Sequence, residues 1–340
     1  MQKWLTNTRD ALSGVFAAKP IVLVDVGASG TPPKEWRSIA EMSSFVGFDA
    51  DLRELREDNA FGFRRFVMIN MAVVDTDRQE IELHLTASPH CSSMLKPNMA
   101  NLANYGCTEL FEVEKTTRIA ATRLDAALRS VGLSHVDWLK LDTQGKDLDI
   151  YRSLGRSEAK GVLAVDIEPG VIDFYEGENT FAPAHVYLVD DGFWLARANV
   201  QQFSRISKAT RDMLASRHVK LGPLAGSPTA IEATYFRSLE HLVSIGAGLR
   251  DYACLWIFAM LDGESGFALD VAAHIISTGV DREVGELLLQ ETLAELGRGA
   301  RWVSETGSPA EPGSRTLRDL VPPVLRPLAR TVLKTIRGGQ

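Results

Sequence analysis

The sequence predicts an α/β protein with a doubly wound, Rossmann-like sheet, a β-hairpin insertion and a C-terminal helical extension. Short apolar runs without alternation recur between helical segments, which is typical of strands buried on both faces of a parallel sheet. From Asp75 to Thr122 the pattern changes to alternating polarity, which is typical of exposed strands. From about Leu239 onward, helical patterns replace the strand patterns. These three observations predict the fold class.

The first half of the predicted sheet follows a β-α-β-α-β order. Its strands are "PIVLVDVG", "SFVGFDA" and "RFVMINMAV", and its helices are "KEWRSIAEM" and "DLRELREDN". Strands of this kind joined by helices require right-handed crossover connections. We therefore expect a parallel sheet with helices on both faces.

The second half begins with the insertion, in which "QEIELHLT" and "LFEVEKTTRIAATRL" are expected to form a hairpin over one end of the sheet. A regular alternation follows, with helices near "DAALRSVG", "KDLDIYRSL" and "APAHVYLVDDG" and strands at "VDWLKLD", "GVLAVDIE" and "FWLARAN". The last strand is "IEATYFR", which we expect to lie antiparallel at the edge of the sheet.

Four regions are predicted along the chain. They are an N-terminal helical lead-in (1–20), an α/β domain (21–238), a helical extension (239–300), and a linker with a basic tail (301–340). In the tail, the segment 324–337 places four basic residues on one side of a helix and apolar residues on the other. Such a helix can lie on an anionic membrane surface, or dock on its own protein or on a partner subunit.

The amino-acid composition limits the classes of binding partner and the cellular compartment that we expect for this protein. The net charge of -7 argues against nucleic acid as the main partner, because phosphate binding needs a basic surface. The three cysteines form no CxxC pair, which favours a reducing compartment. The first residues lack the apolar core of a signal peptide, and "ACLWIFAML" is too short to cross a bilayer, which takes about 20 residues. We expect a cytoplasmic protein, with peripheral membrane contact through the tail and with homo-oligomerisation left open.

The turn after the first strand is a candidate cofactor-binding segment. Asp25, Gly27, Ala28 and Gly30 lie where the first strand meets the first helix, at the end of the sheet where doubly wound folds bind ligands. The GxxG spacing differs from the dinucleotide fingerprint GxGxxG. An acid at Asp25 suits a cationic ligand such as S-adenosylmethionine and repels the pyrophosphate of NAD. The alternative is a tight turn with a solvated aspartate.

The next two strands also end on polar residues. Asp49 follows the second strand, where an acid can accept hydrogen bonds from ribose hydroxyls in enzymes that bind NAD or S-adenosylmethionine. Its alternative role is to cap the next helix, for which Asp51 is better placed. Asn70 ends the third strand and is a candidate contact to the adenine or the methionine end.

Several segments together resemble the FkbM-type methyltransferases. They are "VDVGASG", "FVGFDAD", "NMAVVD", "CSSM", "TRLDAAL", "DWLKLDTQGKDLDIY" and "LAVDIEPGVIDFYEGENTF". The resemblance covers roughly residues 21–199. It implies a class I, Rossmann-like fold that binds S-adenosylmethionine and methylates a hydroxyl of a carbohydrate or related metabolite.

The resemblance also implies roles for individual residues of this chain. Asp25, Gly27 and Gly30 would hold the methionine end of the cofactor and Asp49 the ribose. Asn70 and Ala72 would flank the cofactor. Asp142 would contact the cofactor and face the reacting centre.

Carboxylates end the fourth and fifth predicted strands. Because neighbouring parallel strands lie about 4.8 Å apart, Asp142, Asp166 and Glu168 are expected to converge. Such oxygen ligands suit Mg²⁺, which could hold and acidify a hydroxyl; the carboxylates could also act alone. Asp142 is the first candidate for a catalytic residue and Glu168 the second. His90, in the inserted loop, is the alternative base, or else a solvated loop residue.

Two further features surround these acids. Lys140 is either an ion-pair partner in the site or a side chain that extends from the strand to solvent. The aromatic residues Phe174, Tyr175 and Phe181 either stack on a sugar ring or pack the loop onto the core.

Three functions agree with these residues to different degrees. The leading hypothesis is an S-adenosylmethionine-dependent O-methyltransferase. An NAD-dependent oxidoreductase is disfavoured by Asp25 and by the missing GxGxxG. A non-catalytic, methyltransferase-like scaffold stays open because the glycine turn is short.

Overall fold

The computed structural model describes residues 3–28, 31–51 and 58–305, and its strands show why the apolar runs fold as they do. All residues of the first two strands are buried, as expected where both faces of a sheet are covered. In chain order the strands are β1 (Ile21–Val26), β2 (Ser43–Phe48), β3 (Arg65–Ile69), β4 (Ala72–Val74), β5 (Glu80–Thr86), β6 (Val113–Arg123), β7 (Trp138–Leu141), β8 (Ala164–Ile167), β9 (Phe193–Ser204) and β10 (Gly226–Arg237).

Seven of these strands form the central sheet, in the order β3-β2-β1-β7-β8-β10-β9. The first five are parallel, and β10 runs antiparallel to both of its neighbours. The α/β class with a mostly parallel sheet is therefore confirmed. The expected edge position of the last strand is wrong, because β10 lies between β8 and β9. Tyr235 and Phe236 on β10 are fully buried, which an edge position would not provide.

A second sheet of three strands has the order β4-β6-β5. β5 and β6 are antiparallel, as a hairpin insertion requires, and β4 joins β6 in parallel. The predicted third strand "RFVMINMAV" is divided between the two sheets. β3 ends at Ile69, the amide of Met71 bonds back to the carbonyl of Ile69, and β4 then enters the second sheet.

Twelve helices accompany the strands within the described residues. The segment "KEWRSIAEM" forms only a short helix and then a 3₁₀ turn at Ala40–Met42, and most of the predicted helix "DLRELREDN" lies outside the described residues. The helices are α1 (Lys3–Ala17), α2 (Lys34–Arg37), α3 (Met99–Leu102), α4 (Leu124–Ser130), α5 (Asp147–Ser153), α6 (Arg156–Gly161), α7 (Phe181–Asp190), α8 (Lys208–Ser216), α9 (Leu239–Ser244), α10 (Leu249–Asp262), α11 (Ser265–Thr278) and α12 (Arg282–Glu305).

The two faces of the central sheet differ in character. Alternate residues of β1, β7 and β8 point to one side and build an apolar core with α4, α5 and α7. The intervening residues include Asp25, Lys140 and Asp166, which lie side by side in the strand register. Within β1, β7 and β8 the polar side chains therefore lie on one face only, where Lys140 pairs with Asp25.

The chain forms two compact units. One is the α/β unit, residues 21–238. The other joins residues 1–20 to the helices after Leu239, so the predicted lead-in and the predicted helical extension belong to one unit. Within it, Trp4 of α1 packs edge-on against Trp256 of α10, with ring centroids 5.2 Å apart. Ten consecutive residues of α10, from Tyr252 to Leu261, are buried.

The end of the helical unit bears on two predictions. α12 continues to Glu305, past the expected start of the linker at residue 301. The basic segment 324–337 lies outside the described residues. No helix in the described part of the chain combines the length and the apolar character needed to cross a membrane.

Candidate functional site

A cavity of about 470 Å³ lies in the α/β unit at the carboxyl ends of the parallel strands. The ends of β1, β2, β7 and β8 reach it, as do the loop 88–94, the segment 170–178 and the β9–β10 hairpin. This is the edge at which open α/β sheets bind ligands. Six of the predicted site residues line the cavity: Gly27, Asp49, Ala72, His90, Asp142 and Glu168.

The turn after β1 is fixed by main-chain hydrogen bonds. The amides of Gly27 and Ala28 both donate to the carbonyl of Phe48, at 2.8 and 2.9 Å. Gly27 has φ of +86°, and a Cβ there would overlap the carbonyl oxygen of Asp142. Glycine is therefore required where the ends of β1 and β7 meet. Ala28 is buried but does not line the cavity.

Gly30 lies outside the described residues, so its expected contact with a cofactor stays a prediction.

Asp25 does not line the cavity, contrary to the expected contact with a cationic ligand. It is opposite Lys140 in the β1–β7 register, and the Lys140 ammonium donates to its carboxylate at 2.9 Å. Burial lowers the pKa of Lys140, but the carboxylates of Asp25 and Asp142 outweigh that effect and raise it. Lys140 therefore stays charged and pairs with Asp25. The predicted ion pair is confirmed, but its place in the site is not, because neither residue lines the cavity.

Asp49 is held in place at the end of β2. Its amide donates to the carbonyl of Ile69 at 3.2 Å, and its carbonyl accepts from the Asn70 side chain at 2.8 Å. Its Oδ1 accepts the amide of Asp51 at 2.7 Å. Asp49 thus closes a local turn and lines the cavity.

Asn70 supports Asp49 instead of lining the cavity. It is exposed, and its amide group holds the main chain at the end of β2. The contact of Asn70 with a cofactor stays a prediction, while Met71 and Ala72 are the residues of this segment that line the cavity.

Asp142 lies in a network of side chains at the end of β7. Its Oδ1 accepts from the Gln144 amide at 2.6 Å, and Lys140 lies 3.9 Å from its Oδ2. The Tyr175 hydroxyl lies 3.0 Å from Gln144 Oε1 and 2.8 Å from the Cys91 carbonyl, and its one proton can serve only one of them at a time. Gln144 itself has φ of +55°, an uncommon value for a residue other than glycine.

Glu168 lies after β8 and is bound by Gln201 of β9, whose side-chain nitrogen donates at 2.5 Å. Burial and the negative charges of Asp142, Glu232 and Asp147 raise the pKa of Glu168 to about 8. A carboxyl with such a pKa exchanges its proton near neutral pH, which suits general acid–base chemistry.

Asp147 connects the two catalytic candidates. One of its oxygens accepts from both the amide and the hydroxyl of Thr143, at 2.9 and 2.6 Å, and the other accepts the amide of Glu168 at 2.9 Å. Burial raises the pKa of Asp147 to about 6. This carboxylate therefore fixes the spacing between the loops that carry Asp142 and Glu168.

Asp166 does not join the other two acids, which corrects the predicted triad. It pairs with Lys140 in the sheet and accepts from the Trp138 indole at 2.8 Å, so it does not line the cavity. Within residues 3–28, 31–51 and 58–305, no cluster of three or more His, Cys, Asp or Glu side chains is placed to hold a metal ion. The residues present do not fit the expected Mg²⁺ site, because one of its three ligands is bound elsewhere.

The loop side of the cavity carries the histidine and the aromatic residues. His90 lies in a 3₁₀ turn, is exposed and lines the cavity. Phe174 and Tyr175 are buried and also line it, and Phe174 stacks on Phe111 with centroids 5.2 Å apart. Phe181 packs against His185 away from the cavity, so only two of the three aromatic residues are placed to contact a ligand.

The charged side chains of the cavity lining are predominantly acidic. Among the described residues of the cavity wall there is no Lys or Arg. The acids are Asp49, Asp51, Asp142, Glu168 and Glu178. A phosphate group would meet no cation on the described wall, whereas hydroxyl groups and cations meet hydrogen-bond acceptors.

Sequence reasoning missed several residues of the site. Gln201 and Phe203 come from β9 and Ala230 from β10, far from the motif in the chain. Gln144 was within the motif, and its position next to a glycine is the signal that could have found it. Comparisons with protein-family models, with curated proteins and with solved structures found no match.

Proposed function

We propose that this protein is an S-adenosylmethionine-dependent O-methyltransferase that acts on a hydroxyl of a carbohydrate or related metabolite. The observation that carries the proposal is the acid-lined cavity without Lys or Arg on its described wall, at the carboxyl ends of a Rossmann-like sheet. S-adenosylmethionine carries a sulfonium and an ammonium, so this lining suits it. The resemblance of residues 21–199 to the FkbM-type methyltransferases supports the same reading.

The cavity would hold the cofactor at one end and the methyl acceptor at the other. Asp49, at the end of β2, is placed to accept hydrogen bonds from the two ribose hydroxyls. Gly27 and Ala72 line the same cavity and would flank the ligand. The acceptor would enter from the side of Tyr175 and His90, where aromatic faces and hydroxyl-binding groups are available.

The cofactor would supply an electrophilic methyl group, and the protein would align an acceptor oxygen with it. A new carbon–oxygen bond forms as the carbon–sulfur bond breaks, and the hydroxyl proton has to leave the acceptor. Asp142 is placed to orient the hydroxyl, and Glu168, with a pKa of about 8, is placed to receive the proton. Gln144 and Gln201 hold these carboxylates by hydrogen bonds.

An NAD-dependent oxidoreductase fits this cavity less well. The pyrophosphate of NAD needs main-chain amides or cations, as at the glycine-rich turns of dinucleotide-binding sheets. Here the amides of Gly27 and Ala28 already donate to the carbonyl of Phe48. The described part of the wall adds carboxylates, which would repel the pyrophosphate.

Calorimetric titration tests the proposal. S-adenosylhomocysteine, the product of methyl transfer, should bind with measurable heat, and NAD should give no more heat than buffer. A panel of neutral sugars should then yield S-adenosylhomocysteine from S-adenosylmethionine with at least one member. Heat with NAD alone would favour the oxidoreductase, and absence of heat with either ligand would favour the non-catalytic scaffold.

A further inference from the structure

The distal part of the β9–β10 hairpin is exposed to an unusual degree. Every residue from Ala215 to Gly226 is exposed, and α8, which precedes this stretch, has no buried residue. Large apolar side chains are nevertheless concentrated here. The exposed fractions are 40% for Met213, 47% for Val219, 46% for Leu221 and 48% for Leu224.

The same segment contains basic residues but no acidic ones. No acidic residue occurs from Met213 to Ile231, although the chain has 44 Asp and Glu residues in 340. Arg217 and Lys220 are both exposed and alternate with the apolar residues along the chain. In an acidic protein, an acid-free stretch with exposed leucines and cations contrasts with the rest of the surface. We call Met213, Val219, Leu221, Leu224, Arg217 and Lys220 the distal patch.

The base of the hairpin is anchored to the rest of the α/β unit by hydrogen bonds and an ion pair. The amide of Lys208 donates to the carbonyl of Ala103 at 3.2 Å, and Arg211 pairs with Glu109 at 3.0 Å. The amide of Gly106 also donates to the carbonyl of Ser204 at 2.8 Å.

The end of α8 directs the chain outward. The amide of Val219 donates to the carbonyl of Leu214 at 3.0 Å, and that of His218 to Ala215 at 2.9 Å. With His218 at φ of +57°, this pair of bonds is a Schellman ending. His218 thus takes the left-handed C′ position of the motif, and the helix ends there.

We propose that the distal patch binds the surface of an anionic lipid bilayer. Exposed Val and Leu side chains can enter the interface between headgroups and acyl chains, while neighbouring Arg and Lys side chains contact anionic headgroups. The absence of acidic residues from the patch removes the repulsion that the rest of this acidic protein would meet. Pairing with the same patch of a second copy would bring Arg217 and Lys220 against the same two cations, whereas anionic headgroups neutralise them, so charge favours the membrane over this pairing.

This proposal stands apart from the methyltransferase function and from the tail segment 324–337. It concerns residues in the α/β unit and holds whether or not the cavity binds S-adenosylmethionine. Its test therefore uses the full chain, with the tail present in every variant.

Co-sedimentation with vesicles is the test. The full chain should bind phosphatidylcholine vesicles that contain phosphatidylglycerol, and should bind pure phosphatidylcholine vesicles much more weakly. The double variant Leu221→Ser/Leu224→Ser should weaken binding by about tenfold or more, because apolar area no longer leaves water on binding. The variant Arg217→Gln/Lys220→Gln should weaken it too, with a smaller dependence on salt.

Val186→Ser is the matched control, because Val186 is 58% exposed in the same unit but lies on α7. It should bind vesicles as the wild type does. Failure of the wild type to bind anionic vesicles at low salt would overturn the proposal. Unchanged binding by Leu221→Ser/Leu224→Ser would also overturn it and assign the binding to another part of the chain, such as the tail.

Discussion

The two ends of the cavity hold their polar groups in different ways. At the β1/β2 end, main-chain hydrogen bonds from Gly27, Ala28 and Asp49 fix the wall. At the β7/β8 end, side chains bind the carboxylates of Asp142 and Glu168. Main-chain bonds give a rigid surface that does not titrate near neutral pH, whereas Glu168 at the other end, with its pKa raised to about 8, can exchange a proton there. This difference supports our proposal that the β1/β2 end binds the cofactor and the β7/β8 end carries the catalytic residues.

Asp142→Asn should impair turnover, which we assign to the β7/β8 end, and should preserve cofactor binding, which we assign to the β1/β2 end. The substitution keeps the shape and removes the charge that orients the hydroxyl, so turnover should fall by about 10²-fold, the scale expected when a reacting group is misplaced by about 1 Å. Binding of S-adenosylhomocysteine should change little. Initial rates of S-adenosylhomocysteine formation and calorimetry on the same preparation give both quantities, and unchanged turnover would remove Asp142 from the mechanism.

The same variant should change the pH dependence. The charge of Asp142 helps to raise the pKa of Glu168 to about 8, so its removal should lower that pKa. If Glu168 receives the proton, residual activity of the variant should reach its plateau at a lower pH than that of the wild type. An unaltered pH profile would show that another group accepts the proton.

Gly27→Ala should destabilise the β1/β2 end of the cavity and lower the free energy of unfolding. A Cβ there would overlap the Asp142 carbonyl oxygen, and φ is +86°. Gly62 is the matched control, since its φ is +73° but a Cβ there would meet no atom within 4 Å. Both variants bear the strain of a left-handed alanine, about 1–2 kcal/mol. Urea denaturation should show a larger loss for Gly27→Ala, and equal losses would contradict the close contact of β1 and β7.

Glu168→Gln should change how the free energy of unfolding depends on pH, which tests the raised pKa at the β7/β8 end. The pKa of Glu168 is raised to about 8 in the folded state, from an ordinary value of 4.5. The folded state therefore holds this proton more tightly, and stability is lost as the pH rises from about 4.5 to about 8. The variant lacks this loss, so its free energy of unfolding relative to the wild type should rise over that range. Denaturation at a series of pH values checks this, and parallel curves would contradict the raised pKa.

The sequence was sufficient for the parts of the fold that local pattern encodes. Apolar runs identified β1, β2, β7 and β8, because strands buried on both faces have no polar alternation. Asp49, Asp142 and Glu168 could be placed at one edge, because parallel strands share the direction in which they end. The hairpin character of β5 and β6 followed from their alternation.

Long-range register could not be predicted in the same way. The pairing of Asp25 with Lys140 depends on which residues stand opposite each other. Asp166 pairs in the sheet because it lies inside β8, whereas Glu168 follows the end of that strand. A shift of one residue reverses the face of every side chain in a strand. The position of β10 between β8 and β9 could not be predicted either, because no local sequence pattern determines the order of these strands. The contact of Gln201 on β9 with Glu168 depends on this order.

The most direct test of the central claim is calorimetry of S-adenosylhomocysteine with Asp49→Ala and Asp51→Ala. If Asp49 accepts the ribose hydroxyls, its loss should weaken binding by about 1.5–3 kcal/mol, or roughly 10–150-fold. Asp51 is a neighbouring acid of the same wall, and the bond to Asp49 uses its main-chain amide, so Asp51→Ala should bind nearly as the wild type does. Equal losses in both variants, or no binding by the wild type, would contradict the account.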